Sequence, residues 1–581
     1  MNPLIRHAFV SPDESIYHAL KVIGRSPSFG GPTGIALVVQ DDNHLLGILT
    51  DGDIRTLVLD HVDLEKPIRS YMNKTPITVP QNLKGSAIVR ALRERIANPP
   101  DPDNQRNPAN LATLNKILIA DNGYIKDVLS PLDLLQDHNV IYRHACILGM
   151  GYVGLTLAMV LADDGFQVTG VDHNPKVLDT LRQKRAPFFE TGLEPLIERY
   201  VDNGFNLLPD LGNSSFDIYV VAVGTPVDEK GIPIMNDIKK VLEQIAKVLK
   251  FKDLVILRST VPLCTCRDIA IPILENGSGL KAGSEFHFVF APERTVQGKA
   301  LEELRLLPQI IGGYTPGCVN AATQFFNVFS PTIVRVDSLE GAEMVKLLNN
   351  SFRDLSFGYA NQIGQLCEAL NVDTVAVINA ANEGYLRNLL PLPSPGVGGT
   401  CLQKDPYIFV DSARNHGVDL SLVREARKSN ESMIQFVGNK IEKFFHEHKL
   451  TQNPKIFILG IAFKGNPQTS DIRASTSIDT IQYLKSKKLD NIFVYDPVAS
   501  RETLKEAGLK LAESIEGGFK DSHAVLIMNN HPSYLNVNLF NLISLMSKPG
   551  MLFDAWHLYQ QSLVESIPGI HYQGLGTKKN C

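Results

Sequence analysis

The chain alternates short apolar runs with polar turns and longer helical stretches along most of its length. "GIALVVQDDNHLLGILTDGDIRTLV", from Gly34, reads as strand, acidic turn, strand and helix. "NKILIADNGYIKDVLSPLDLL", from Asn115, repeats that pattern about eighty residues on, as a two-fold module does. "NPPDPDNQRNPAN" between the copies reads as a polar loop. From Ala145, "ACILGMGYVGLTLAMVLADDGFQVTGVDHN" predicts a strand at 145–148, an apolar helix and a second strand at 166–171. Strands and helices then alternate to about residue 330. "GAEMVKLLNNSFRDLSFGYANQIGQLCEAL" lacks proline and predicts one long helix over 341–370. "KIFILGIAFKG", "NIFVYDP" and "HAVLIMNNHP" open a second α/β unit of strand-then-loop repeats.

Composition narrows the class. A chain of 581 residues carries a prior of about four domains. Its 44% hydrophobic and 20% charged residues are ordinary for folded domains with full cores. A net charge of −5 argues against a general nucleic-acid or anionic-membrane binder. The first residues lack an apolar signal core, and no apolar run approaches the roughly 18 residues of a membrane span. The seven cysteines are scattered, and Cys264 and Cys266 have no His or Cys companion that makes a metal site. The expectation is a cytoplasmic protein with reduced thiols and no metal.

The chemistry gathers at strand ends. Gly149, Gly151 and Gly154, with Tyr152 and Val153 between them, join the first strand to its helix. Such a turn lets the backbone approach a pyrophosphate, and Asp172, about twenty residues on, can accept ribose hydroxyls. A carboxylate there repels a 2′-phosphate, so the expected cofactor is NAD. The plainer alternative for Asp172 is a helix N-cap. Three further strands end at Thr225-Pro226, at Ser259-Thr260 and at Glu293, and in a doubly wound sheet all three loops open on one crevice. Lys346 and Asn350 share a helix face, as a cation and an amide holding an oxyanion would, or as ordinary surface residues. Lys464 and Arg473 suit a diphosphate, or solubility. In the first unit, Thr50 with Asp53 and Ser130 with Asp133 stand at strand-to-helix junctions. They suit a ribose and phosphate, or are capping boxes. "SPGVGGTCLQKDP" places one thiol, Cys401, after three glycines, where it is a nucleophile or a buried structural cysteine.

Residues 1–140 resemble a pair of cystathionine-β-synthase-type (CBS) domains, which implies an adenine nucleotide in the cleft between the repeats. Residues from about 141 to 570 resemble the UDP-glucose/GDP-mannose dehydrogenase family. The likeness rests on "GMGYVGL", "GTP", "RSTVP", "APERTVQGKALEEL", "AEMVKLLNNSFRD", "GVGGTCLQKDP" and "LGIAFKGNPQTSDIRAS", in the family's order. The resemblance implies an α/β chain: a CBS pair, then two Rossmann-like doubly wound domains joined by a central long-helix region. The boundaries are 1–140 for the CBS pair and 141–335 for the NAD domain. The helical dimerisation region with the cysteine spans 336–450, and the UDP-sugar domain 451–581.

The resemblance also implies roles. The family oxidises C6 of a nucleotide sugar from alcohol to acid with two NAD and one water. Cys401 captures the intermediate aldehyde as a thiohemiacetal and later leaves from a thioester. Lowering its pKa from about 8.5 to about 7 takes about 2 kcal/mol, a task expected of Lys346 and nearby backbone N–H groups. Lys346 and Asn350 steady the oxyanion, Asp405 positions water or acts as base, and Glu293 and Thr260 order water and substrate. Lys404 is a secondary electrostatic contributor. Arg294, Gly398, Lys464 and Arg473 join the substrate site, and Arg387 reaches the sugar of a neighbouring subunit in a homodimer or larger assembly. Trp556 replaces an arginine that many members carry. "APERTVQGKALEEL" and "KLLNNSFRD" look most like the UDP-N-acetylmannosamine and UDP-N-acetylglucosamine enzymes, whose products feed surface polysaccharides. Two rivals remain: a two-electron hydroxyacid-type dehydrogenase, which needs no thiol, and a non-catalytic nucleotide sensor.

Overall fold

The structure, a computed structural model, describes residues 3–29, 31–40, 43–80, 91–92, 94–96, 101, 116–129, 144–228, 231–385, 387, 389–450 and 453–578. It divides into two units, Met1–Ile141 and Tyr142–Cys581. Among the described residues no helix is long and apolar enough to cross a membrane.

The first unit holds one sheet of β1 (Phe9–Val10), β2 (Ile35–Gln40), β3 (His44–Thr50), β4 (Thr78–Val79), β5 (Ile117–Asp121) and β6 (Tyr124–Leu129). Their spatial order is β1-β2-β3-β6-β5-β4, so the repeat read from the sequence is a repeat in space. In each half a parallel strand flanks an antiparallel hairpin, and both hairpins bulge, between Val38 and Val39 and between Ile119 and Ala120. The halves meet where His44 faces Tyr124. Ile35, Leu37, Leu118 and Ile125 form one buried cluster across both repeats.

The second unit contains two doubly wound sheets. The larger comprises β7 (His144–Leu148), β8 (Gln167–Val171), β9 (Phe205–Leu208), β10 (Ile218–Val221), β11 (Leu254–Leu257), β12 (His287–Phe290), β13 (Gln309–Gly313) and β14 (Ile333–Val336). Its order is β14-β13-β12-β11-β10-β7-β8-β9, parallel except between β12 and β13. β10 and β11 are buried along their whole length, because helices cover both faces. Ile147 packs into the core on one face, Cys146 and Leu148 into that on the other. Strand order reverses between β7 and β10, which leaves a crevice beyond their carboxyl ends.

The smaller sheet has β15 (Ile456–Leu459), β16 (Ile492–Tyr495), β17 (Ala524–Ile527), β18 (Gly550–Asp554) and β19 (Ile570–Gly574). It is all parallel in the order β16-β15-β17-β18-β19. Between the sheets runs the long helix Leu339–Ala369, capped by Ser338, whose hydroxyl accepts the Gly341 N–H. It packs on two further helices, Thr400–Asn415 and Ser421–Glu447.

Asp253 sits just before β11, at the end of the larger sheet away from the crevice. Burial, with the like charge of Asp217, pushes its carboxyl up to about 7, although Lys250 donates its backbone N–H to Oδ2. The folded chain therefore holds this proton more tightly than the unfolded chain. That stability is full below the ordinary Asp range and is lost as pH rises toward 7. Asp253→Asn keeps an acceptor for Lys250 and removes the titration. Between about pH 5 and pH 8 its melting temperature should fall less than that of the wild type. Parallel slopes would show that Asp253 does not titrate in this range.

Candidate active site

The dinucleotide turn sits at the crevice of the larger sheet. Gly149 has φ +102°, and a Cβ there would lie 2.8 Å from the Ala222 carbonyl oxygen. At Gly154 a Cβ would lie 1.8 Å from the Gly149 oxygen, so helix and strand pack only with glycine. At Gly151 the same position faces open space, where a pyrophosphate fits. Asp172 closes β8, accepting N–H groups from Met150 and Asn174 at 2.8 Å each. Gly149, Gly151, Asp172 and Gly224 line a crevice of about 460 Å3. A second cleft of about 740 Å3 shares Gly224 and continues past Thr225 and Pro226 to Thr400, Gln403, Lys404, Tyr407 and Arg473. Thr225 Oγ1 is buried there without a partner. Tyr152 and Val153 start the helix, and the Tyr152 hydroxyl accepts the Gly298 N–H at 2.8 Å.

Cys401 lies in the first turn of the helix Thr400–Asn415, not in the loop before it, and is exposed. Backbone N–H groups at a helix start favour a thiolate. The preceding glycines press the loop onto the smaller-sheet domain. A Cβ on Gly399 (φ +89°) would lie 2.8 Å from the Phe463 ring, and one on Gly398 would lie 3.0 Å from the Ala474 oxygen. Gly399 N–H and Gln403 Nε2 both donate to that oxygen, at 2.9 and 3.1 Å.

The same domain brings two cations to the thiol. Lys464 and Arg473 both interact electrostatically with Cys401. Burial, then Arg353, pushes the Lys464 ammonium down to about 8. Lys464 Nζ donates to the Gln297 carbonyl at 2.7 Å, and Arg473 forks onto Asp471 at 2.9 and 2.7 Å.

Lys346 and Asn350 do share a face, but each has a protein partner. Lys346 Nζ donates to the Glu293 carbonyl at 2.5 Å, and Asn350 Nδ2 donates to Asp405 Oδ2 at 2.6 Å. Asp405 is fully buried, with Lys404 Nζ at 2.7 Å from Oδ1. Thr260 follows the buried Arg258–Ser259 pair at the end of β11 and is partly buried. The Arg294 guanidinium turns to the Pro308 carbonyl. Arg387 is exposed over the Tyr385 ring and lines neither cleft. In the first unit, Thr50 and Asp53 close a capping box on each other, with Thr50 Oγ1 2.7 Å from Asp53 Oδ2. Ser130 and Asp133 lie outside the described residues.

Three consecutive domains of one family match this unit: the NAD binding domain at 143–330, the central domain at 340–432 and the UDP binding domain at 457–561. The chain belongs to the UDP-glucose/GDP-mannose dehydrogenase family. A CBS domain matches residues 3–60. A UDP-N-acetyl-D-mannosamine dehydrogenase of Campylobacter jejuni is 31% identical over 413 residues, 69% of this chain and 99% of that one. An NDP-N-acetyl-D-galactosaminuronic acid dehydrogenase of Ralstonia solanacearum is 30% identical, across 69% of this chain and 94% of its own. The solved UDP-D-ManNAc dehydrogenase of Pyrococcus horikoshii superposes with a TM-score of 0.67 at 26% identity, over 74% of this chain and 99% of that one.

The protein is an NAD-dependent nucleotide-sugar dehydrogenase with a CBS domain ahead of its catalytic unit. The glycine turn, Asp172 and the unpartnered Thr225 hydroxyl are the residues that fit NAD. The Trp556 indole donates to the Met528 carbonyl at 2.9 Å and packs against the domain core.

The residues that brace this dehydrogenase site carry little sequence signal. Arg427, buried in "VREARKSNE", donates to Asp354 Oδ1 at 2.7 Å, to the Leu402 carbonyl at 3.1 Å and to the Val397 carbonyl at 3.5 Å. It therefore holds both flanks of the cysteine turn. Arg258 ends the apolar run of β11, and a cation closing a buried strand is a legible sign that a partner exists. Arg427→Leu leaves Asp354 buried without its cation and should lose about 3–5 kcal/mol of stability in urea denaturation. The double change Arg427→Leu/Asp354→Leu should recover most of that loss. A double variant as unstable as the single would show that the pair is not the brace.

Proposed function

We propose that this dehydrogenase oxidises C6 of a UDP-N-acetylhexosamine to the carboxylic acid through a covalent step on Cys401. The observation that carries this is the exposed thiol at a helix start, within electrostatic reach of Lys464 and Arg473 and next in sequence to Thr400, which lines the second cleft. NAD held by the glycine turn and Asp172 would supply the hydride acceptor, one NAD for each of the two oxidations. Cys401 adds to the C6 aldehyde as thiolate, and the aldehyde oxygen becomes an alkoxide that Lys346 and Asn350 stabilise. After the second oxidation the sugar is a thioester. Water attacks it with Asp405 as proton acceptor, the C–S bond breaks, and the acid leaves with the thiol restored. Lys464 and Arg473 meet the diphosphate. The relatives named for UDP-N-acetyl-D-mannosamine support an N-acetylated sugar, and the acid product suits a surface polysaccharide.

We further infer a homodimer through the long helix. Met344, Leu348, Phe352, Tyr359 and Leu366 are exposed on it at spacings of four and seven, one apolar stripe that a second copy would cover. Exposed Arg387 then serves the sugar site of the other subunit. The CBS match and the two-fold sheet support an adenine nucleotide at Thr50 and Asp53 that sets the activity of the dehydrogenase.

The purified protein with NAD and UDP-N-acetylmannosamine should form about two NADH per sugar, and Cys401→Ala should abolish the second. Full yield from Cys401→Ala would favour a two-electron dehydrogenase. ATP, ADP or AMP should shift kcat or KM, and Asp53→Ala should remove the shift. Kinetics that ignore all three nucleotides would refute the regulatory reading.

A further inference from the structure

Glu293 is a buried carboxylate with no capacity left over. Its Oε2 accepts two hydrogen bonds from Arg258, from Nε at 3.2 Å and from Nη2 at 2.5 Å. Its Oε1 accepts the N–H groups of Arg294 and Thr295, each at 2.7 Å. Four donors on two oxygens leave no good site for a water. Arg258 is as firmly held: Nη1 donates to the Ala291 carbonyl and to Gln309 Oε1, both at 3.1 Å, and the guanidinium lies over the Phe326 ring. Gln309 is itself tied down by its donation to the Ile310 carbonyl at 2.9 Å. What Glu293 shows to the long helix is its main-chain carbonyl, which receives Lys346 Nζ.

We propose that Arg258 is a positioning residue, and that Glu293 serves the reaction through its main-chain carbonyl while its carboxylate is only an anchor. The guanidinium fixes the carboxylate, the carboxylate fixes the turn 293–295, and the turn sets where the Lys346 ammonium stands. Asp405, whose oxygens accept one side-chain donor each, is then the carboxylate with a lone pair to spare for the thioester-cleaving water.

The charged groups facing Glu293 are Arg258 from the end of β11 and Lys346 from the long helix, and the Arg294 guanidinium points away to Pro308. Burial alone raises the Glu293 carboxyl, but Arg258, the Thr295 N–H and Lys346 outweigh it and hold the group below the usual range. The inference rests on the Cys401 reading above.

The test is a double-mutant cycle with R258Q, E293Q and R258Q/E293Q, assayed with NAD and UDP-N-acetylmannosamine. In each single variant a neutral amide faces a charged partner and the turn shifts. In the double variant two amides bond each other without charge. Each single should lower kcat by about tenfold or more, with a smaller change in KM, and the double should return to within about threefold of wild type. R258Q alone should gain an acid limb in its kcat profile, because Glu293 then protonates as pH falls, and the double should lack it.

A double variant as slow as E293Q, with a sugar adduct building up on Cys401 in intact-mass spectra, would make the Glu293 carboxylate the base and overturn the proposal. If R258Q melts below assay temperature, E293Q alone still decides, since slow turnover without adduct supports positioning and slow turnover with adduct refutes it. Wild-type protein that yields one NADH per sugar would instead defeat the Cys401 reading itself.

Discussion

The ion pair of Arg427 with Asp354 is the interaction on which the catalytic unit turns. Both side chains are out of water, and removing two such charges from solvent costs several kcal/mol each before any contact is made. The cost is offset in part by a shared network, although Asp354 Oδ2 and Arg427 Nε are left without a hydrogen-bond partner. Asp354 Oδ1 also accepts Asn430 Nδ2, Asn361 Nδ2 donates to Asn430 Oδ1, and Asn361 Oδ1 accepts the Ser394 N–H. Three helices and the glycine turn are thus joined through one guanidinium. A hydrophobic core could hold those helices together, but it would not fix the height and rotation of the turn that ends in Cys401. A hydrogen-bonded charge pair does, because its partners accept only one arrangement.

The cations of the site divide their labour by domain. Lys346, on the long helix, is committed to a main-chain carbonyl. Lys464 and Arg473 come from loops of the smaller-sheet domain and act electrostatically on the thiol across a seam zipped by Ala474. Burial weakens Lys464 as a cation, and Arg353 nearby weakens it further. An anion placed beside it would favour its charged form.

Much of this was legible in the sequence, and the limits are physical. Apolar runs predicted the strands of both sheets because parallel strands buried on both faces read as unbroken hydrophobic stretches. The long helix read as 341–370 is Leu339–Ala369, since nothing but a serine cap marks its start. Gly149, Gly151, Gly154 and Asp172 come together because the motif is local, and all fall within one strand–helix–strand unit. Long-range pairing was not legible. Nothing in "VREARKSNE" announces that Arg427 is the buried one, and nothing in "APER" says whether Glu293 offers its carboxylate or its carbonyl. Thr50 and Asp53 show the converse: the spacing that suits a ribose also makes a capping box, and the chain closes it.

The Ala474 seam has a further consequence. The carbonyl that receives Gly399 and Gln403 belongs to the domain that supplies Lys464 and Arg473. Were that domain to swing away, the thiol would lose its fastening and both cationic neighbours in one movement. Position and charge at the thiol are tied, because that carbonyl and both cations belong to a single domain.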